Sequence, residues 1–355
     1  MIAGVLTGVY SRHFVAIGKD SYTGGLRWVV TTLLIAVLAV AGWAGWLVYR
    51  PVTPPANTFL LLHSGYSSRR IAAELKKAGV IHSELAFRVW HLVHPKASLK
   101  AGEYRFEDAA DLPQVFGRIA RGDVYFHVVT IPEGYTMFDV AKAMEEAGLG
   151  SAADFLQVAE TDTQLIADLA PQAKSLEGYL FPETYQFTRT ESPEEMAAAM
   201  VHRFRQVAQQ IGLNADVAEV VTMASIVEKE TAAPEERPLV ASVYYNRLAQ
   251  KMALDADPSV IYAELLAGKY RGSLHHDDLA VVSPYNTYRF AGLPQGPIGN
   301  PGRSALEAAL HPESTKFLYF VSDANGHHRF ARSLEEHNRN VAAYRRALRA
   351  PGGGR

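Results

Sequence analysis

The chain has 355 residues, 48% hydrophobic and 20% charged, a globular composition at a length that suits two or three domains. A formal net charge of −2 removes the electrostatic case for binding nucleic acid. The absence of cysteine excludes disulfides, thiolate nucleophiles and Cys-based zinc sites.

Residues 28–49, WVVTTLLIAVLAVAGWAGWLVY, carry no charge. As a helix they span about 33 Å, enough to cross a hydrocarbon core of roughly 30 Å. Trp28, Trp43, Trp46 and Tyr49 cluster toward the ends, where amphipathic rings favour the membrane interface. Arg12, Lys19 and Arg27 precede the span and only Arg50 closely follows it. The positive-inside rule therefore puts 1–27 in the cytoplasm and the long remainder outside. A cleaved signal peptide is the competing reading, but the apolar run is too long for its core and no clean A-x-A site follows. Residues 50–56 read as a short stiff linker and 349–355 as a disordered tail.

The next stretch repeats itself at an offset of 69 residues. Gly65 and Tyr66 match Gly134 and Tyr135; Ile71, Ala72 and Leu75 match Val140, Ala141 and Met144; Ala78 and Gly79 match Ala147 and Gly148. Each copy reads as a strand (58–62, then 125–131), a turn, a short amphipathic helix and a glycine stop. The expected division is a module at 57–130 and a domain at 131–348 that opens with the second copy, 131–158. Small modules of this kind suit binding or simple spacing, and both readings stay open.

From about residue 160 helices dominate, expected at 193–212, 215–230, 238–251, 304–310 and 333–348, with a strand at 317–321. Turn-rich loops fill 283–288 and 292–302. The fold class is α+β.

Helix 215–230 is apolar and ends in two acids, Glu228 and Glu230. Burial and the partial negative charge at a helix C-terminus both favour the protonated carboxyl. That is the form a general acid needs to protonate a leaving sugar oxygen. Val220, Val221, Ile226 and Val227 mark the surroundings of Glu228 as buried. Glu230 lies two positions on, on another face, and reads as a solvated or capping acid. Glu177, Glu183, Asp255 and Asp257 also compete, with Asp257 reading as the N-cap of a helix that begins near Ser259. Taken singly, each acid is more often a surface group than a catalyst. The pairs His275-His276 and His327-His328 lack ligand spacing, no H-E-x-x-H occurs, and Ser225 lies in no G-x-S-x-G elbow. The residues thus point to no metal and no cofactor. Tyr179, Phe181, Tyr185, Tyr244, Tyr245, Asn246, Tyr285, Asn286 and Tyr288 offer the rings and amides that suit carbohydrate, and such residues also fill ordinary cores.

Several motifs, taken in order, resemble those of the MltG (YceG-like) endolytic murein transglycosylases. They are EGYLFPETY at 177–185, ASIVEKE at 224–230, DPSVIY at 257–262, YNTY at 285–288, GLPQGPIGNPG at 292–302, YFV at 319–321 and the pair His337-Asn338. The similarity runs over 28–345; Gln295 departs where the family often has a second proline. The resemblance implies one transmembrane helix, a LysM-like module within 57–130 and a mixed α+β YceG-like catalytic domain. It implies a bacterial inner-membrane enzyme whose periplasmic part cuts peptidoglycan glycan strands beside cell-wall synthases, with no cofactor and no nucleic acid partner. By the same resemblance Glu228 is the catalytic acid/base. Glu183, Tyr185, Asn246, Asp257, Tyr285, Asn286 and Asn338 are the expected substrate contacts. The implied chemistry is a lyase reaction that leaves 1,6-anhydro-muramic ends. The alternatives are a glycoside hydrolase pairing Glu228 with Asp257 or Glu183, and a non-catalytic glycan-binding scaffold.

Overall fold

In the computed structural model, which describes residues 20–323 and 325–349, the uncharged run forms a single helix, α1 (Asp20–Tyr49). Its part Gly25–Tyr49 is long and apolar enough to cross a membrane, and its large apolar side chains are exposed. Residues 1–19 of the expected cytoplasmic segment and 350–355 of the expected tail lie outside the described residues. The chain divides into one unit ending at Val124 and another beginning at Tyr125.

The first unit runs β1 (Thr58–Leu62), α2 (Ser68–Lys77), α3 (Glu84–Val93), β2 (Gly102–Phe106) and α4 (Leu112–Arg121). β1 and β2 pair antiparallel, Thr58 opposite Phe106 and Leu62 opposite Gly102. Strand alternation turns Leu60, Leu62, Tyr104 and Phe106 into one core, which Ile71, Leu75, Phe87 and Ile119 complete from the helices. Ser67, Ser83 and Asp111 cap α2, α3 and α4, each accepting the backbone N–H three residues on. The linker at 50–56 is tied down: Val52 and Ala110 exchange backbone hydrogen bonds at 2.9 and 3.0 Å, and Pro54 is buried.

The second unit opens with β3 (His127–Thr130), α5 (Met137–Glu146), α6 (Ala152–Thr161) and β4 (Thr184–Phe187), with β3 and β4 antiparallel. Because β3 pairs with β4, it belongs to this unit, ahead of the expected boundary at 130/131. Both copies thus have the order strand, helix, helix, strand. The 69-residue offset persists into the backbone: Gly65 and Gly134 have φ of +83° and +78°, and Gly79 and Gly148 of +70° and +73°. Those left-handed values suit glycine at a turn and at a helix end. Ser67 and Thr136 occupy the same N-cap position.

The rest of the unit comprises α7 (Pro193–Gln210), α8 (Val217–Glu230), α9 (Arg237–Ala249), α10 (Asp257–Leu266), α11 (Arg303–Leu310), β5 (Tyr319–Ser322), β6 (His328–Ala331) and α12 (Leu334–Arg349). β5 and β6 form an antiparallel hairpin. α8 is apolar on nearly every side and packs against α9, α10 and α11 as the central element of the core. Asp257 is the first residue of α10 rather than its cap: Ala256 holds the N-cap position.

Loop 292–302 is locked onto this core by Asn300, which is fully buried. Its Oδ1 accepts the N–H groups of Gly178 and Leu180, and its Nδ2 donates to the Tyr135 carbonyl and Glu177 Oε1, all at 2.9 Å. Glu177, also buried, accepts the N–H of Met137 at the start of α5 with both oxygens, at 3.1 and 3.0 Å. Burial pushes its carboxyl from 4.5 up to about 7, against the pull of that N–H. Ser225 on α8 accepts the Ile298 N–H at 3.0 Å. Gly178 has φ +89°, and a Cβ there would lie 2.5 Å from the Pro297 side chain and 2.9 Å from that of Val221. Asn300→Ala strands two buried donors, the Gly178 and Leu180 N–H groups, and takes one hydrogen bond each from the Tyr135 carbonyl and Glu177, which keep the Asn300 and Met137 backbone N–H. It should lower the free energy of unfolding by about 3 kcal/mol. Urea denaturation measures this; a loss well under 1 kcal/mol would mean that other contacts hold the loop.

Candidate active site

The last turn of α8 sends its two acids to different sides, since residues two apart on a helix share no face. Glu228 enters a polar brace. Its Oε1 accepts from Arg237 Nη2 at 2.6 Å and its Oε2 from the Gly302 N–H at 2.9 Å. Both side chains of the pair are only 6% exposed. Arg237 Nη1 lies 3.5 Å from Glu133 Oε2. The fit is close: a Cβ at Gly302 would fall 1.9 Å from Glu133 Oε1, and one at Gly134 would fall 3.4 Å from Glu228 Cγ. Burial raises the Glu228 carboxyl, while the Gly302 N–H and the Arg237 charge pull it back. Both oxygens are engaged by protein donors.

Glu230 lines a cleft of about 390 Å³ with Tyr244, Arg247, Asp255, Asp257, Tyr288, Tyr319 and His337. This corrects the expectation of a solvated or capping acid. Glu230 does face away from Glu228, but that face is enclosed by α9, the start of α10, the loop carrying Tyr288, and the β5–α12 segment. Burial pushes its carboxyl from 4.5 up to about 7. A hydrogen bond from the Tyr244 hydroxyl opposes the rise, the neighbouring Asp257 charge adds to it, and Arg247 opposes it.

The walls are held by ordered contacts. Arg247 donates from Nε to the Leu318 carbonyl at 2.7 Å, and from Nη1 to the Ala253 and Leu254 carbonyls and Asp255 Oδ2 at 3.1, 2.9 and 3.1 Å. Its guanidinium carbon sits 5.2 Å from the centroid of the Tyr319 ring. The Tyr288 hydroxyl donates to Asp257 Oδ1 at 2.6 Å. His337 stacks on Tyr319 with ring centroids 5.2 Å apart. Burial and the Arg247 charge hold its imidazole below 6.5, so it is neutral at pH 7.

Of the expected substrate contacts, the structure places Asp257 in this cleft. Asn246 instead donates to the Thr315 and Phe317 carbonyls at 3.1 and 3.0 Å. Buried Asn286 donates to the Leu279 and Val281 carbonyls at 3.0 and 2.8 Å, and its Oδ1 accepts the Tyr288 N–H at 2.9 Å, which aims Tyr288 at Asp257. Tyr285 packs edge-on against Tyr262. Tyr185 donates to the Phe181 carbonyl at 2.6 Å and stacks on Phe187. Glu183 is ion-paired with Arg203 of α7. Asn338 is exposed, one residue past the His337 that does line the cleft. From the sequence, Glu230 reads as set apart from the site and Tyr288 only as one of several rings that suit carbohydrate, while Arg247, Tyr319 and His337 are not expected as site residues. One readable signal was the three-residue spacing of Tyr244 and Arg247, which puts them on one face of α9.

Comparison with known proteins adds the following. The model of the YceG-like family matches residues 60–343. A Bacillus subtilis protein named endolytic murein transglycosylase is 34% identical over 316 residues, covering 83% of this chain and 87% of the relative. A Streptococcus pneumoniae protein of the same name is 30% identical over 352 residues, covering 88% of this chain and 64% of its own length, so the chain spans less than two thirds of it. A crystal structure of a yceG-like protein from Listeria monocytogenes is similar at a TM-score of 0.52 and 33% identity, over 79% of this chain and 97% of that one.

The raised Glu230 carboxyl has a consequence for stability. It holds its proton in the folded state at pH values where the unfolded chain has lost it. The stability this contributes is full below pH 4.5 and is lost as pH rises through about 7. Glu177 contributes in the same direction over the same window. Glu230→Gln should therefore reduce, without abolishing, the decline in thermal stability across that window. An unchanged pH slope in melting curves would rule out a proton on Glu230 near neutrality.

Proposed function

The chain belongs to the YceG-like family, and from that premise we propose that it is an endolytic murein transglycosylase. It cleaves the bond between N-acetylmuramic acid and N-acetylglucosamine in peptidoglycan strands and leaves 1,6-anhydro-muramic ends. The observation that carries this reading is one carboxyl, Glu230, held near pH 7 in a cleft lined by tyrosines. A general acid works best when its pKa lies near the operating pH. Glu230, in place of the expected Glu228, protonates the glycosidic oxygen. The resulting carboxylate then takes the proton of the muramic C6 hydroxyl as that oxygen attacks C1. An attack from within the sugar needs no activated water, so one carboxylate serves both steps. Asp257 lies beside Glu230 and faces the positive charge that develops at C1. The rings of Tyr288 and Tyr319 suit stacking against sugars. Glu228 is a positioning residue, holding the helix end through Arg237 and Gly302.

Further parts of the reading concern place and partners. The strand-helix-helix-strand order at 58–106 supports a LysM-like, glycan-binding module, and the second copy has been absorbed into the catalytic unit. The membrane-length α1 and the basic residues before it support an inner-membrane anchor with the N-terminus in the cytoplasm and the catalytic unit in the periplasm. Such an anchor suits work on new strands, beside cell-wall synthases.

Digestion of purified, uncrosslinked glycan strands by the full-length protein tests the mechanism. Mass spectrometry should find product ends lighter by one water than hydrolysed ends. Glu230→Gln should lower the rate roughly 10²- to 10⁴-fold while the protein stays folded. Glu228→Gln should lose thermal stability and should lower the rate much less than Glu230→Gln does. Ends that carry the extra water would point to hydrolysis with Asp257 as partner, and full activity in Glu230→Gln would show that the acid lies elsewhere.

A further inference from the structure

Among the described residues, nothing packs against one face of α3. Leu85, Val89, Leu92 and Val93 are 66%, 51%, 77% and 63% exposed, at the spacing that puts them on one side of a helix, while Phe87 on the opposite side is fully buried. Arg88 and Lys96 are exposed on or just beyond the same side. An apolar stripe with basic flanks is what a helix lying in a membrane interface presents.

The position of this stripe says what covers it. α3 and the turn before it touch the last turn of α1. The Trp46 ring stacks on His82 at 5.1 Å between centroids, and Tyr49 meets Trp90 edge-on at 6.2 Å. The Arg50 guanidinium carbon lies 4.7 Å from the centroid of the Trp46 ring. Tryptophan, tyrosine and arginine at the end of a membrane span mark the depth of the headgroups. Contact with those residues brings α3 to that depth. We propose that α3 is a second membrane contact, lying in the outer face of the bilayer that α1 crosses. Leu85, Val89 and Leu92 enter the acyl boundary, by about 5–10 Å for helices of this type, and Arg88 and Lys96 reach lipid phosphates. The inference rests on reading α1 as a membrane anchor.

The chain has no cysteine, so single substitutions can be labelled without background. Val89→Cys and Leu92→Cys, each in the full-length protein, would carry an environment-sensitive fluorophore. Leu38→Cys within α1 and Arg339→Cys on α12 serve as references. The proteins are reconstituted in vesicles of phosphatidylethanolamine and phosphatidylglycerol, with and without a spin-labelled quencher lipid. Labels at 38, 89 and 92 should emit at shorter wavelength than the label at 339 and lose intensity to the quencher. Quenching at 38 but not at 89 and 92 would overturn the α3 contact and leave the anchor standing. Absence of quenching at 38 would overturn both. Blue-shifted emission at 89 and 92 that ignores the quencher would mean that protein, such as a second copy of the chain, covers the stripe, and would also overturn the inference.

Discussion

The ion pair between Arg237 and Glu228 decides where the end of α8 points, and the cleft depends on that aim. A buried pair of this kind adds little net stability, because desolvating two charges offsets their attraction. Its effect is directional: removing either partner leaves an uncompensated charge, so alternative placements of the helix end are penalised. Glu133 and the Gly302 N–H complete the set, and Asn300 and Glu177 extend it to loop 176–181 and the start of α5. Two residues beyond Glu228, Glu230 inherits this rigidity on a different side of the helix. Two residues, about half a turn, therefore separate a carboxylate saturated by protein donors from one left facing a cleft.

That separation explains what was legible in the sequence. The apolar run that makes α8 a core helix is readable, as is the presence of two acids at its end. Which acid meets substrate is not, because helical periodicity gives directions without saying what lies in each. The cleft wall comes from α9, α10, a loop and the β5–α12 segment, brought together by tertiary packing. The same limit applies to the amides. Asn246 and Asn286 look like sugar ligands in sequence and serve instead to fasten loop carbonyls, a use that appears only when those carbonyls have positions. Strand β1 is evident from TFLLL, whereas its equally long partner GEYRF is too mixed, and TYQF and HRFA too short and mixed, to stand out before pairing.

The two copies of the strand-helix-helix-strand module show one scaffold put to two uses. A side chain added at Gly65 in the first copy would meet open space, and one at its counterpart Gly134 would meet Glu228 and Lys229. The backbone of the turn is the same in both. What differs is whether a second surface has grown onto it. In the second copy the stretch between α6 and β4 carries Glu177 and Gly178, and with them the contacts to loop 292–302.

The pairing of Val52 with Ala110 removes the slack between α1 and the rest of the first unit. A free tether lets a domain wander through a volume set by its contour length. Here the module follows α1 as a fixed attachment, so under the anchored reading it patrols a plane. Encounters with glycan then scale with lateral diffusion and with the number of strands per area of membrane. The distance between strand and bilayer acts as a filter on which strands can be met at all.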